Sequence, residues 1–193
     1  METKKYDLKI KFITPVLGTQ PQKNIAVEFL SKHYEEDIDL PEDELGTLEE
    51  NLEKGTTAFH KLNEKPILYD YQVKGFIKEA GRVLNGLRDV RALRSKIDSL
   101  VFVEPRQILL MLPNGAGIDF LERPLRAQTM QGPRVAIARS EMLPAGTEFS
   151  CQLKVYPGPI SKLLLEDLLS YGFDKGIGQW RNGGYGRFEF DLK

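Results

Sequence analysis

Ser161-Lys-Leu-Leu-Leu-Glu-Asp-Leu-Leu-Ser170, then Gly176-Ile-Gly-Gln-Trp-Arg-Asn-Gly-Gly-Tyr-Gly-Arg187, then Phe188-Glu-Phe-Asp-Leu192 run in close succession, and their order governs how the rest of the chain is read. Leu164, Leu165, Leu168 and Leu169 recur at helical spacing, with Pro159 and Ser161 suited to the start and Gly172 to the stop. Phe188, Phe190 and Leu192 alternate, which predicts a strand over 186–192 that buries all three. The glycines therefore follow a helix and precede a strand. Phosphate-binding fingerprints need the opposite order, strand then glycines then helix, and Gly-Lys-Ser/Thr is missing as well. No nucleotide cofactor is expected. A glycine-rich loop still lets a ligand approach the main chain, and its successive amides can cradle an anion. Trp180, Tyr185, Arg181 and Arg187 add stacking surfaces and cations, the combination that single-stranded nucleic acid uses. The competing reading is a tight loop with Trp180 tucked into the core.

Working back along the chain, Leu8, Ile10 and Phe12 alternate with Asp7, Lys9 and Lys11, which predicts a half-buried strand over 6–13. Asn24 is placed to cap a short helix carrying Ile25, Phe29 and Leu30, with His33 near its end. Over 71–85, Val73, Phe76, Ile77, Ala80, Val83 and Leu84 form one apolar stripe, and Gly86 is suited to the C′ position. Val90, Leu93, Ile97 and Leu100 predict a second short helix. Strand-like runs follow at 100–103 and 108–112, and His60 lies in a turn-like stretch. Residues 121–142 read as a hairpin turning at Gln131-Gly-Pro133. Phe149, Cys151, Leu153 and Val155 share the inner face of another strand. Strand, helix, strand, strand, helix, strand is the order of an α+β, ferredoxin-like or RRM-like βαββαβ domain, with two helices on one face of a four-stranded antiparallel sheet. One such domain over 1–193 is expected, with an acidic insertion at about 35–55 and a hairpin insertion at about 121–142. The sheet's other face is left for function or for a partner.

Composition narrows the classes further. The 193 residues carry 27 basic and 28 acidic side chains, a net charge of −1, which excludes a globally basic nucleic-acid binder. Ten of the acids lie between Glu35 and Glu53 with no basic residue among them; the remaining chain then holds 27 basic against 18 acidic, a balance of +9. The near-neutral total hides an acidic loop on a basic body. That loop lacks the spacing of a calcium-binding hand, so no metal site is expected. The single cysteine, Cys151, rules out a disulfide framework and reads as a core residue. With no signal-peptide pattern and no long apolar run, a cytoplasmic protein with no membrane contact is expected.

Gly176-Ile-Gly178 and Gly184-Tyr-Gly186, placed before the last strand, resemble the C-terminal glycine-rich loop of the RAMP superfamily, the RNA-binding backbone and processing subunits of CRISPR systems. Pro66-Ile-Leu-Tyr-Asp-Tyr-Gln-Val-Lys-Gly-Phe-Ile-Lys78 is similar to the family's segment leading into its first helix, and Arg139-Ser-Glu-Met-Leu-Pro-Ala-Gly-Thr-Glu-Phe149 to its strand entry. The 123–139 hairpin sits where backbone subunits carry a thumb. The resemblance covers about two thirds of the chain, and the acidic insertion has no counterpart in it. It implies a non-catalytic protein that holds single-stranded RNA, CRISPR RNA included, by its backbone, alone or with effector subunits or copies of itself. The residues it points to are Gly176, Gly178, Trp180, Arg181, Gly184, Tyr185 and Gly186 of the loop, Lys74, Lys78 and Arg82 at i, i+4 and i+8 of the helix, and Arg123, Arg126, Arg134 and Arg139 of the hairpin. For the cations the bland reading is a solvated face.

Two alternatives stay open. The chain is then an interaction protein from a mobile element that imitates a CRISPR subunit and blocks effector assembly, or a metal-independent endoribonuclease using His33. Family members that cleave target RNA use an aspartate in the loop after the first strand; here that loop, Thr14-Pro-Val-Leu-Gly-Thr-Gln-Pro-Gln22, holds no acid.

Overall fold

The computed structural model describes residues 2–21, 56–129 and 132–193. The expected helix after Asn24, with His33, and the acidic insertion at about 35–55 lie outside the described residues. Along the chain, β1 (Lys4–Phe12) leads to the short strands β2 (Val16–Leu17), β3 (Gln20–Pro21) and β4 (Thr56–Ala58). The hairpin strands β5 (His60–Leu62) and β6 (Lys65–Tyr69) run into helix α1 (Asp70–Val83), and α2 (Leu93–Leu100) into β7 (Val101–Glu104) and β8 (Gln107–Leu109). The long pair β9 (Asp119–Thr129) and β10 (Gly132–Leu143) precedes β11 (Glu148–Val155), α3 (Lys162–Ser170) and β12 (Phe188–Leu192). The chain divides into two compact units, one of residues 1–16, 60–117 and 143–193, the other of 17–59 and 118–142.

The first unit is built on a four-stranded antiparallel sheet in the order β12-β1-β11-β7. In order of appearance these are the fourth, first, third and second strands of a βαββαβ motif, so the fold is ferredoxin-like α+β. The alternation seen in the sequence sets its inner face: Leu8, Ile10 and Phe12 of β1 and Phe149, Leu153 and Val155 of β11 are buried. Phe12 packs on Phe149 at 5.9 Å between ring centroids and edge-on to Phe188 at 6.4 Å, and Phe76 of α1 meets Phe188 at 5.0 Å. Each such ring contributes about 1.5–3 kcal/mol by leaving water. A Cβ on Gly172 would overlap the Phe188 ring, so this glycine makes room for the core; it lies within the 3-10 turn Tyr171–Phe173 that continues α3 and does not itself stop the helix.

Helix α1 buries Val73, Phe76, Ile77 and Ala80 as its periodicity requires, and the Gln72 side chain accepts the Tyr69 N–H at 2.8 Å to close its first turn. It stops two residues earlier than the sequence predicts. Val83 is left 51% exposed, and Gly86, with φ of 90°, opens the turn before α2 instead of standing at C′. Helix α3 is capped by Ser161, whose hydroxyl accepts the Leu164 N–H at 3.2 Å.

Three other expectations change. Phe190 is only half-buried, on β12 at the edge of the sheet. Most of the run at 108–112 lies outside the main sheet: β8 joins a separate sheet in the order β5-β6-β8, and Met111 alone bridges to Glu148 at the start of β11. His60 accordingly belongs to a strand and not to a turn. The sequence hides this small sheet because its strands are three to five residues long, too short to display a period.

In the second unit β9 and β10 form the expected antiparallel hairpin, although Gly132 and Pro133 are already in register with Thr129 and Gln128 and so belong to the strand. The sheet continues through β4, parallel to β10, and β3. Near its base Thr57 donates to the Ser140 hydroxyl at 2.9 Å, and the buried Glu141 carboxylate accepts the Phe59 N–H at 2.9 Å. These bonds satisfy polar groups that would otherwise be costly to bury.

Candidate nucleic-acid interface

The outer face of the main sheet is the usual ligand platform of an RRM-like fold, and here ion pairs cover much of it. Lys5 pairs with Glu104 at 3.9 Å, Lys9 with Glu148 at 2.7 Å and Lys11 with Glu189 at 3.7 Å, while Gln152 donates to Asp7 at 2.9 Å. Lys9 holds the Glu148 carboxyl below its ordinary range by this bond. The lysines of β1 are thus answered by acids of the other strands, and the exposed ring on this side, Phe102 of β7, stands at the sheet edge against Tyr156.

The aromatic and cationic groups gather instead at the glycine-rich loop. Gly176, Gly178, Gly184 and Gly186 all have positive φ, at 73°, 102°, 86° and 74°, a region costly to any other residue. Gly176 and Gly186 also touch. A Cβ on Gly186 would overlap the Ile177 carbonyl oxygen, and one on Gly176 would overlap the Gly186 carbonyl. The Ile177 N–H donates to Gly186 O at 2.8 Å, and the Gly186 N–H to Pro15 O at 2.8 Å. Each half of the motif thus fixes the other, with Ile177 buried as an anchor. The loop is joined to the segment after β1, where the Arg187 N–H donates to Thr14 Oγ1 at 2.9 Å.

Trp180 is not a core residue. It is 42% exposed, lies over Gly183 and stacks on Tyr185 at 5.1 Å with the rings 18° from parallel. A Cβ on Gly183 would come within 2.7 Å of the indole, so the glycine is what lets the ring lie flat on the main chain. Below it, the Arg181 guanidinium donates to the Glu79 carboxylate of α1, and Lys175 reaches the same carboxylate at 3.9 Å. Lys175 also donates to Asn182 at 3.1 Å.

On α1, Lys74, Lys78 and Arg82 do share a side, but Asp98 of α2 draws in the two lysines. Lys78 donates to its carboxylate at 2.8 Å, and Lys74 donates to its main-chain carbonyl at 2.8 Å while its ammonium rests 4.5 Å over the Phe102 ring. These cations hold the Asp98 carboxyl below its ordinary range, the Lys78 hydrogen bond contributing most. Arg82 is exposed. Together with Tyr71, Gly75 and Arg94 these residues line a cleft of about 540 Å³ between α1 and α2. The sequence reading missed Tyr71, Glu79, Arg94, Asp98 and Lys175. Arg94 and Asp98 stand at i, i+4, a visible helical pair, but nothing local shows that they meet α1.

The hairpin arginines are spread out. Arg139 lies 4.1 Å over the Phe120 ring and 3.5 Å from Glu122, and Arg123 is half-buried. Register sets Arg126 opposite Val135 and Arg134 opposite Ala127, so strand alternation puts positions 126 and 134 on opposite faces of the ribbon. The side chains of 125–137 lie outside the described residues, as does His33. Among the described residues no group of three or more His, Cys, Asp or Glu could hold a metal ion, and no helix is long and apolar enough to cross a membrane.

Neither a family model nor a curated protein matches the chain. Solved structures do. A chain of the type III-B Cmr-β complex bound to cognate target RNA, seen by cryo-EM, matches all of this chain with a TM-score of 0.57 at 11% identity. This chain spans 60% of that one's length. A chain of a type IV-B CRISPR complex matches 98% of this chain, over 90% of its own length, with a TM-score of 0.50 at 12% identity. At these identities the likeness is one of fold.

Proposed function

We propose that this chain is a CRISPR-associated, RAMP-type protein that holds single-stranded RNA by its backbone, as a subunit of an effector assembly. The observation that carries the reading is the glycine loop. Gly176 and Gly186 are buried and lock the loop, which leaves the left-handed Gly178 and Gly184 partly open beside a half-exposed Trp180–Tyr185 stack, with Arg181 and Lys175 nearby. Such a loop lets a sugar–phosphate chain come close, while the rings give a sequence-tolerant surface for a base. The RNA named for the type III-B neighbour is in keeping with this reading. Lys78 and Arg82 extend the cationic track along α1, and the 123–139 hairpin takes the part of the thumb.

The test is a salt-dependent titration with labelled single-stranded RNA, comparing the wild type with a Trp180→Ala/Arg181→Ala double variant. Binding should fall with salt at a log–log slope of about −0.7 per phosphate contacted, and the double variant should bind roughly tenfold or more weakly. A double variant that binds as well as the wild type overturns the loop as the site. A second reading draws on the ion pairs: Glu79 and Asp98 already answer Arg181, Lys175, Lys74 and Lys78 within the chain. A surface neutralised in this way suits a protein that imitates a CRISPR subunit and blocks assembly. Absence of RNA binding at low salt favours that reading.

A further inference from the structure

The cleft between α1 and α2 has an aromatic end, and its construction is not explained by packing within the chain. Tyr71 lies parallel to Tyr69, with centroids 5.5 Å apart and planes 14° apart, and His60 stands edge-on to Tyr69 at 4.7 Å. Tyr69 covers one side of the Tyr71 ring, yet Tyr71 remains 56% exposed at the mouth of the cleft. An array of three rings with its last member open is costly to leave in water and is pre-organised for one more planar group.

One turn along the helix stands Gly75. It is exposed, and a Cβ there would meet nothing within 4 Å. Glycine weakens a helix interior relative to alanine, and among the described residues no neighbour requires its small size. The missing side chain leaves that stretch of the cleft bare beside Tyr71; Lys74 and Lys78, held by Asp98, line it as well, and Arg82 and Arg94 are its cations not held by Asp98. A ring at one end, a bare floor and cations at the other match a nucleotide: base, sugar and phosphate in that order. An acidic peptide would use the cations but would leave the ring unanswered.

We propose that the α1–α2 cleft is a nucleotide-binding subsite in which a base of single-stranded RNA stacks on Tyr71 and its phosphates lie toward Arg82 and Arg94. The inference rests on the RNA-binding reading above and deepens it, since it adds a contact to a base where that reading invokes the backbone. The cleft and the glycine loop share a wall at Glu79, whose carboxylate lines the one and pairs with Arg181 of the other. One strand can therefore pass from the Trp180–Tyr185 stack to Tyr71 without leaving the first unit. Tyr71 is a binding residue here; Gly75 acts only by leaving space.

The experiment uses the full chain and a short uridine strand carrying 2-aminopurine at alternate positions, whose fluorescence is quenched when the base stacks. The wild type should quench it. Tyr71→Phe should keep the quenching, and Tyr71→Ala should lose that share of it and bind roughly 5- to 160-fold more weakly, the range for one stacked base. Gly75→Leu, which fills the cleft while favouring the helix, should weaken binding without lowering the melting temperature. If Trp180→Ala/Arg181→Ala weakens binding while Tyr71→Ala and Gly75→Leu leave affinity and quenching unchanged, this subsite is refuted and the loop reading stands. If no strand binds at low salt, both fall. If free 2-aminopurine ribonucleoside monophosphate binds as tightly as the strand, and as sensitively to Tyr71→Ala, the cleft is a site for free nucleotides and the assignment to a strand is overturned.

Discussion

Replacing Gly186 by alanine tests whether the two halves of the glycine motif lock each other. Gly186 has φ of 74°, where an L-residue pays about 1–2 kcal/mol. The new Cβ would also overlap the Ile177 carbonyl oxygen, a main-chain atom that cannot swing aside, and forced shifts of this kind cost about 1–3 kcal/mol. Together these predict a loss of roughly 2–5 kcal/mol. For a chain of this size each kcal/mol lowers the melting temperature by about 2–4 °C, so a mid-range loss of ~3 kcal/mol corresponds to a drop of about 6–12 °C. Gly184→Ala is the matched control. Its φ of 86° carries the same conformational cost, but the nearest atoms to its Cβ are those of the Arg187 guanidinium at 3.8–3.9 Å, which is ordinary contact. It should lose only ~1–2 kcal/mol, or about 2–8 °C. Both are read by thermal and urea unfolding followed by circular dichroism. Because Gly186 also bonds Pro15 and Ile177 through its main chain, its substitution should weaken RNA binding more than the Gly184 change. Equal destabilisation by the two variants would refute the interlock and leave the positive φ values as the whole requirement for glycine.

Three further outcomes are expected. Ser161→Ala removes the hydroxyl that accepts the Leu164 N–H and should cost about 1 kcal/mol, seen as a fall of about 2–4 °C in melting temperature; no change would show that α3 does not depend on its cap. The Cys151 thiol is pushed up to about 12 by burial, so a thiol reagent at pH 8 should label the unfolded chain and spare the native one, and equal labelling rates would contradict its burial on β11. Burial also lowers His60 below its ordinary 6.5, so the native state binds this proton less readily than the unfolded chain. Stability from this group is therefore full above pH 6.5 and falls as the pH drops toward the lowered value. His60→Phe should flatten that part of the stability profile, and an unchanged profile would exclude His60 as its source.

The main-sheet strands and the three helices of the first unit were legible in the sequence because each has a periodic apolar face, whereas the short strands β5 and β6 were not. Leu8, Ile10 and Phe12, the α1 stripe and the four leucines of α3 are buried as their spacing demands. The glycine motif was legible for another local reason: positive φ is a property of single residues, and four glycines at fixed spacing announce it. What the periodicity could not reveal was which ends would fray or be left open. Val83 and Phe190 fit their patterns but stand at the last residue of α1 and on an edge strand, and remain exposed and half-buried. For the candidate site, the sequence supplied the cations and the rings of the loop but not their counter-charges. Glu79 and Arg181 are 102 positions apart, and Lys78 and Asp98 are 20 apart on different helices, so neither pairing leaves a trace in local spacing.

The sequence by itself thus determined the main-sheet strands, the three helices, most of their inner faces and the presence of a glycine loop open to unusual backbone conformations, since these follow from side-chain period and backbone sterics within a few residues. Only the tertiary structure decided the strand order β12-β1-β11-β7, the ion pairs that answer the outer sheet face, and the cleft that brings Tyr71, Gly75, Arg82 and Arg94 together. Those features depend on contacts between segments far apart in the chain, which are fixed when burying the apolar faces brings the layers together and are recorded in no single stretch of residues.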